Sequence, residues 1–136
     1  MTGDRATRTI SSCPARFVLR EREDATKQEF SELGISIYEL DALEITTKRD
    51  LLEAMAKDMS FPSYFGMNQD ALIDCLRDLS WLPIGGHALL VHDSDRFWKT
   101  YPDLAGMLLE CWLSCVSYWE KVGVPFQLVF LWSDTK

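Results

Sequence analysis

Histidine is scarce: the chain of 136 residues has two, His87 and His92, one at each end of a single apolar stretch. A nucleophile needs a base and an oxyanion donor nearby, and no G-x-S-x-G turn or reactive cysteine context accompanies either histidine. Both read as strand-end residues. Glycine and proline are sparse too, at seven and five. The one glycine pair, Gly85 and Gly86, precedes a strand-like run, whereas a phosphate-cradling loop follows a strand and opens a helix. No C-x-x-C pair occurs among the four cysteines, Cys13, Cys75, Cys111 and Cys115. Cys111 and Cys115 share a helical stripe and would need His87 or His92 to complete a metal site, but the spacing matches no standard zinc pattern. The expectation is free thiols, with Cys75 and Cys111 in the core, no metal and no cofactor. No apolar run is long enough to span a bilayer, and the N-terminus lacks the apolar core of a secretory signal, so a cytoplasmic location is expected.

Positive charge is also in short supply. Fourteen Lys and Arg face twenty-one Asp and Glu, for a formal net charge of −7. That balance opposes direct nucleic-acid binding and suits a basic protein partner. What the chain has in quantity is apolar surface: 47% of its residues are hydrophobic, enough for one sizeable core in a single domain.

Residues 1–12 are polar and read as a frayed lead-in. Arg16 to Arg20 suits a short strand, and Ala25 to Leu33 a short helix ended by Gly34. Ile35 to Leu40 alternates as a strand does. Thr47 followed by Asp50 resembles a capping box opening a helix with Leu51, Leu52, Met55 and Met59 on one face, and this helix should stop before Pro62. After a turn region from Trp81 to Gly86, His87 to His92 reads as a buried strand. Thr100 is expected to cap one long helix with Leu104, Met107, Leu108, Cys111, Trp112, Cys115, Val116 and Trp119 as its apolar stripe. Gly123 and Pro125 should end it. Phe126 to Trp132 is a continuous apolar run, suited to a parallel strand buried on both faces. Strands alternating with helices predict an α/β layer fold with right-handed crossovers.

Between the second strand and the third lies FPSYFGMNQDALIDCLRDLSWL, residues 61–82. Here an aromatic loop runs into a helix whose Leu72, Cys75, Leu76 and Leu79 form one apolar stripe, with Asp70, Asp74 and Arg77 on the other side. Asn68 is a good N-cap, and the helix dipole favours Asp70 in the first turn. Asp74 has no such local reason. With Asp70 and Asp78 it makes an i, i+4, i+8 series of like charges, which weakens a helix, and Arg77 relieves this only in part. Alone, the series reads as a solvated acidic face; as a pair, Asp70 and Asp74 lie on one helix face and cannot flank a cleft as glycosidase carboxylates do.

The segment FPSYFGMNQDALIDCL resembles the signature of the barstar family of intracellular ribonuclease inhibitors. Tyr64, Gly66, Asn68, Asp70, Ala71, Leu72, Asp74, Cys75 and Leu76 follow its pattern in order and without a gap. The resemblance spans roughly Ile35 to Trp132. It implies a barstar-like layered fold, with a small parallel sheet of three to four strands packed with helices, over residues 35–136. Residues 1–34 then form an N-terminal extension with a short strand and helix. It further implies that Tyr64, Gly66, Asn68, Asp70, Ile73 and Asp74 bind the partner, a basic secreted ribonuclease or nuclease toxin, with Asp74 where a substrate phosphate would lie. No enzyme activity and no membrane association are implied. The chain departs from the archetype at Ile73 and Leu79, where the archetype has Trp, and at Tyr118, where it has a contacting Glu; Glu120 is near but on another helical face. An interaction adaptor that keeps the fold for a non-nuclease partner is the alternative expectation.

Overall fold

The computed structural model describes residues 13–133, so the frayed lead-in expected over residues 1–12 lies outside the described residues. Four strands form one sheet in the order β1-β4-β3-β2: β1 Ala15–Leu19, β2 Ser36–Asp41, β3 His87–His92 and β4 Phe126–Trp132. Every pairing is parallel. The expected α/β sheet is therefore present. Its two central strands are the two continuous apolar runs, because a strand covered on both faces leaves no side for polar residues. Ala88, Leu89, Leu90 and Val91 of β3, and Leu128, Val129 and Leu131 of β4, are all fully buried.

The two faces are covered unequally. On one, α1 (Glu23–Glu32) sets Phe30 against Ile35, Ala88, Leu90, Val129 and Leu131. On the other lies the larger core, built from α2 (Lys48–Asp58), α3 (Gln69–Asp78), α4 (Ser94–Thr100), α5 (Pro102–Leu113) and α6 (Val116–Val122). β1 closes the sheet on the side of β4, pairing Ala15 with Leu128 through Leu19 with Trp132. Its Phe17 stacks on Phe130 at 5.3 Å and meets Trp132 edge-on at 5.4 Å. The opposite side of β1 carries Arg16, whose guanidinium lies 5.8 Å from the centre of the Phe30 ring.

One expectation is corrected. Thr100 does not open a single long helix: it is the last residue of α4, and the stretch from residue 94 to residue 122 is three helices, α4, α5 and α6. Pro102 is the reason for the first break, since a proline has no N–H to donate and is accepted at the start of a helix, where it stands in α5. The second break falls at Ser114 and Cys115. The Ser114 hydroxyl donates back to the Cys111 carbonyl at 2.8 Å, and the Cys115 N–H donates to the Trp112 carbonyl three residues earlier at 3.0 Å. Such back-bonding competes with the regular ladder and bends a helix. The apolar stripe continues through the bend, with Leu108, Cys111, Trp112, Cys115 and Trp119 all buried. Gly123, at φ +74°, ends α6 as expected.

Candidate partner-binding surface

α2 ends at Asp58, ahead of Pro62, and the chain then makes the aromatic loop. The Phe61 N–H donates to the Ala56 carbonyl at 2.8 Å, and the Phe65 N–H to that of Pro62 at 3.0 Å. Phe61 meets Phe65 at 5.0 Å and Trp81 at 6.1 Å, both edge-on, while the Trp81 indole N–H donates to the Met59 carbonyl at 3.0 Å. Phe61 and Phe65 are thereby turned toward the core, and Tyr64 between them is left 72% exposed. The loop thus separates its neighbouring rings, one for packing and one for solvent.

Gly66 is exposed but does not adopt a left-handed conformation, and an added Cβ would lie 3.4 Å from Asn68 Nδ2 and 3.5 Å from the Ala71 Cβ. Met67 takes the left-handed position instead, at φ +55°. Asn68 joins loop to helix. Its Oδ1 accepts from the Ala71 N–H at 2.8 Å and its Nδ2 donates to the Gly66 carbonyl at 3.3 Å. The N-cap expected at this position is therefore formed.

Along α3 the two sides separate as the 3.6-residue period requires. Leu72, Cys75, Leu76 and Leu79 are buried, while Asp70, Asp74, Arg77 and Asp78 are exposed. Ile73 is half-buried against the main core. Among the described residues, none of the three aspartate carboxylates takes part in an ion pair or a hydrogen bond. Burial pushes the Cys75 thiol up, and the Asp78 and Asp74 charges push it further.

α3 packs against α5, and two hydrogen bonds reach its back from Cys115, at the break before α6, and from Trp119 within α6. The Trp119 indole N–H donates to the Leu76 carbonyl at 2.9 Å, and the Cys115 thiol approaches the Ile73 carbonyl at 3.6 Å. Trp119 also lies edge-on to His87 at 5.4 Å and stacks on Phe126 at 5.5 Å, the first residues of β3 and β4. The apolar stripe places Trp119 and Cys115 in the core but gives no sign of these hydrogen bonds. A buried indole N–H usually finds an acceptor, and that is the one signal the sequence offers. Tyr118, next to Trp119, is 42% exposed.

Both histidines end β3, as expected. His87 is 2% exposed, its Nδ1 3.2 Å from the Tyr38 hydroxyl, and burial pushes its imidazole down to about 4. His92 lies 2.7 Å from Glu39, and Lys27 bridges Glu23 at 2.7 Å and Glu39 at 3.1 Å. The donor atoms of Glu23, Glu39 and His92 fall within 4.8 Å of one another; the Lys27 ammonium already supplies the positive charge there. Cys111 and Cys115 are buried, and burial raises both thiols, that of Cys111 to about 11. Clefts of about 290 Å³ and 420 Å³ flank Trp132 and are lined by no residue of α3 or its loop.

A small parallel α/β protein that displays an unpaired acidic helix behind an exposed tyrosine is the class these observations define. The family described as Barstar (barnase inhibitor) matches residues 35–131, well over half of the chain, and the chain belongs to it. No curated protein matches it. The match begins after β1 and α1, yet β1 is hydrogen-bonded to β4 along its whole length. No helix among the described residues is long and apolar enough to cross a membrane.

Proposed function

We propose that this protein is an inhibitor or immunity protein that blocks the active site of a basic ribonuclease or nuclease toxin, in the cytoplasm, with α3 and the loop before it. One observation carries the reading: in a chain of the barnase-inhibitor family, Asp70, Asp74 and Asp78 are exposed on one helix without partners among the described residues. Like charges left unpaired at this spacing weaken a helix, and a cationic partner relieves them. Ribonuclease sites gather Arg, Lys and His to stabilise phosphate charge. A carboxylate on a braced helix accepts several charge-assisted hydrogen bonds from such a cluster. In this reading Asp74 takes the place of the substrate phosphate and Asp70 meets the basic rim. Tyr64 packs on aromatic or histidine surface, while Asn68 and the backbone at Gly66 shape the edge of the contact. Ile73, half-buried, gives the contact its apolar margin.

The test is stoichiometric titration of ribonuclease activity, with barnase as first probe and secreted nucleases as the wider panel, at low and high salt. Inhibition should be complete at one equivalent for a cognate enzyme, with affinity falling as salt rises. Asp74→Ala should weaken binding by several kcal/mol, because partner cations are left unpaired in a desolvated contact, while Asp103→Ala on α5 should change it little. Equal effects of the two substitutions would sink the assignment. Protein capture with no effect on any nuclease would favour an adaptor.

A further inference from the structure

We infer that Trp119 is a positioning residue for the acidic face: from α6 it fixes the last turn of α3, and so the direction of the carboxylates, without touching a partner. The inference rests on the proposed function for its consequence, but its physical basis is independent of any nuclease. A helix leaves its last four carbonyls without helical donors. In α3 the Leu76 carbonyl is one of these, and it is satisfied by the indole N–H of another helix at 2.9 Å. The chain end cannot do this work cheaply, because the residue that terminates α3 is Leu79, a non-glycine at φ +46°. A leucine is strained there, and that turn persists only while its surroundings hold it.

The grip has two points. Cys115, the N-cap of α6, and Trp119 within it stand four apart and reach the carbonyls of Ile73 and Leu76, three apart on α3. Two contacts one turn apart fix sliding and rotation together, where one would allow the helix to pivot. Trp119 is itself immobilised: it is 7% exposed, stacked on Phe126 and edge-on to His87. Through Trp119 the starts of β3 and β4 are tied to the last turn of α3. Asp74 lies between the two gripped carbonyls in sequence, so a shift of this helix moves the central carboxylate directly.

The experiment compares Trp119→Phe with Leu131→Val. The first keeps an aromatic ring and removes the N–H; the second destabilises the core under α1, away from α3. Amide hydrogen exchange of the free protein should show about tenfold faster exchange at the end of α3 in Trp119→Phe, with β3 and β4 following global stability alone. Leu131→Val should show no such local effect. Should Trp119→Phe fail to fold, Cys115→Ala removes the weaker grip and should loosen α3 near Ile73 and Arg77. With barnase as probe, Trp119→Phe should dissociate about tenfold faster and Leu131→Val at the wild-type rate. Uniform loss of protection across all elements, or equal dissociation rates for the two variants, overturns the inference. If the wild-type protein does not inhibit barnase or any nuclease tried, the functional reading falls, and the exchange measurement still decides the brace.

Discussion

His87 shows how one buried side chain ties stability to pH. It is 2% exposed between Tyr38 and Trp119, and burial depresses its imidazole to about 4 against an ordinary value of 6.5. The folded state therefore holds His87 neutral. As pH falls below 6.5 the unfolded chain takes up this proton first, so stability decreases from there down to about 4 and then levels off for this group. Each tenfold difference in proton affinity between the folded and unfolded chain is worth roughly 1.4 kcal/mol, which makes the full loss about 3 kcal/mol. Urea unfolding at pH 7 and at pH 4.5 should show most of that difference. His87→Gln, which cannot titrate, should largely abolish it. An unchanged pH slope in the variant would mean that other groups carry the acid sensitivity.

α3 was the most legible element, because three independent signals in it agree: an N-capping Asn68, an apolar stripe at helical spacing, and charges confined to the other side. The strands β3 and β4 were legible for a related reason, since short apolar runs bounded by turn residues have few alternatives in an α/β chain. The three-helix stretch from Ser94 to Val122 was not, because its apolar stripe keeps phase across both breaks and periodicity cannot register a bend that preserves it. Nor could the loop sequence say which of Tyr64 and Phe65 turns outward from geometry alone; the ring contacts of Phe61 decide it. The value of the cap is measurable. Asn68→Ala loses the bond to the Ala71 N–H and the link to the Gly66 carbonyl, and should lower stability by about 1 kcal/mol. Asn68→Asp keeps the acceptor and should recover most of that loss in chemical denaturation. If alanine costs nothing, water caps α3 equally well.

At the scale of the molecule, the family match and the folded unit have different limits. The match begins at Ile35, but β1 forms one side of the sheet and α1 buries Phe30 completely. A chain beginning at Ile35 would expose Ile35, Ala88, Leu90, Val129 and Leu131 on one face, together with the open edge of β4. Large exposed apolar patches and bare strand edges promote association. The shortened chain should aggregate or lose cooperative unfolding in a thermal melt. The surface proposed for recognition lies on α3 and the loop before it, and at Ile73, Leu79 and Tyr118 the chain departs from the archetype that it resembles. Ile73 and Leu79 stand in place of Trp, but Leu79 is 2% exposed and belongs to the core. That leaves the half-buried Ile73 and the exposed Tyr118 as the altered positions open to a partner on the proposed surface. Aromatic anchors and desolvated charge pairs dominate most interfaces, so barnase should be bound less tightly than a cognate enzyme that presents apolar surface to Ile73 and flat or hydrogen-bonding surface to Tyr118. Ile73→Trp combined with Tyr118→Glu should improve barnase inhibition and impair binding to the cognate, since specificity is a difference of affinities. An inhibition constant unchanged for both enzymes would place the partner on another surface.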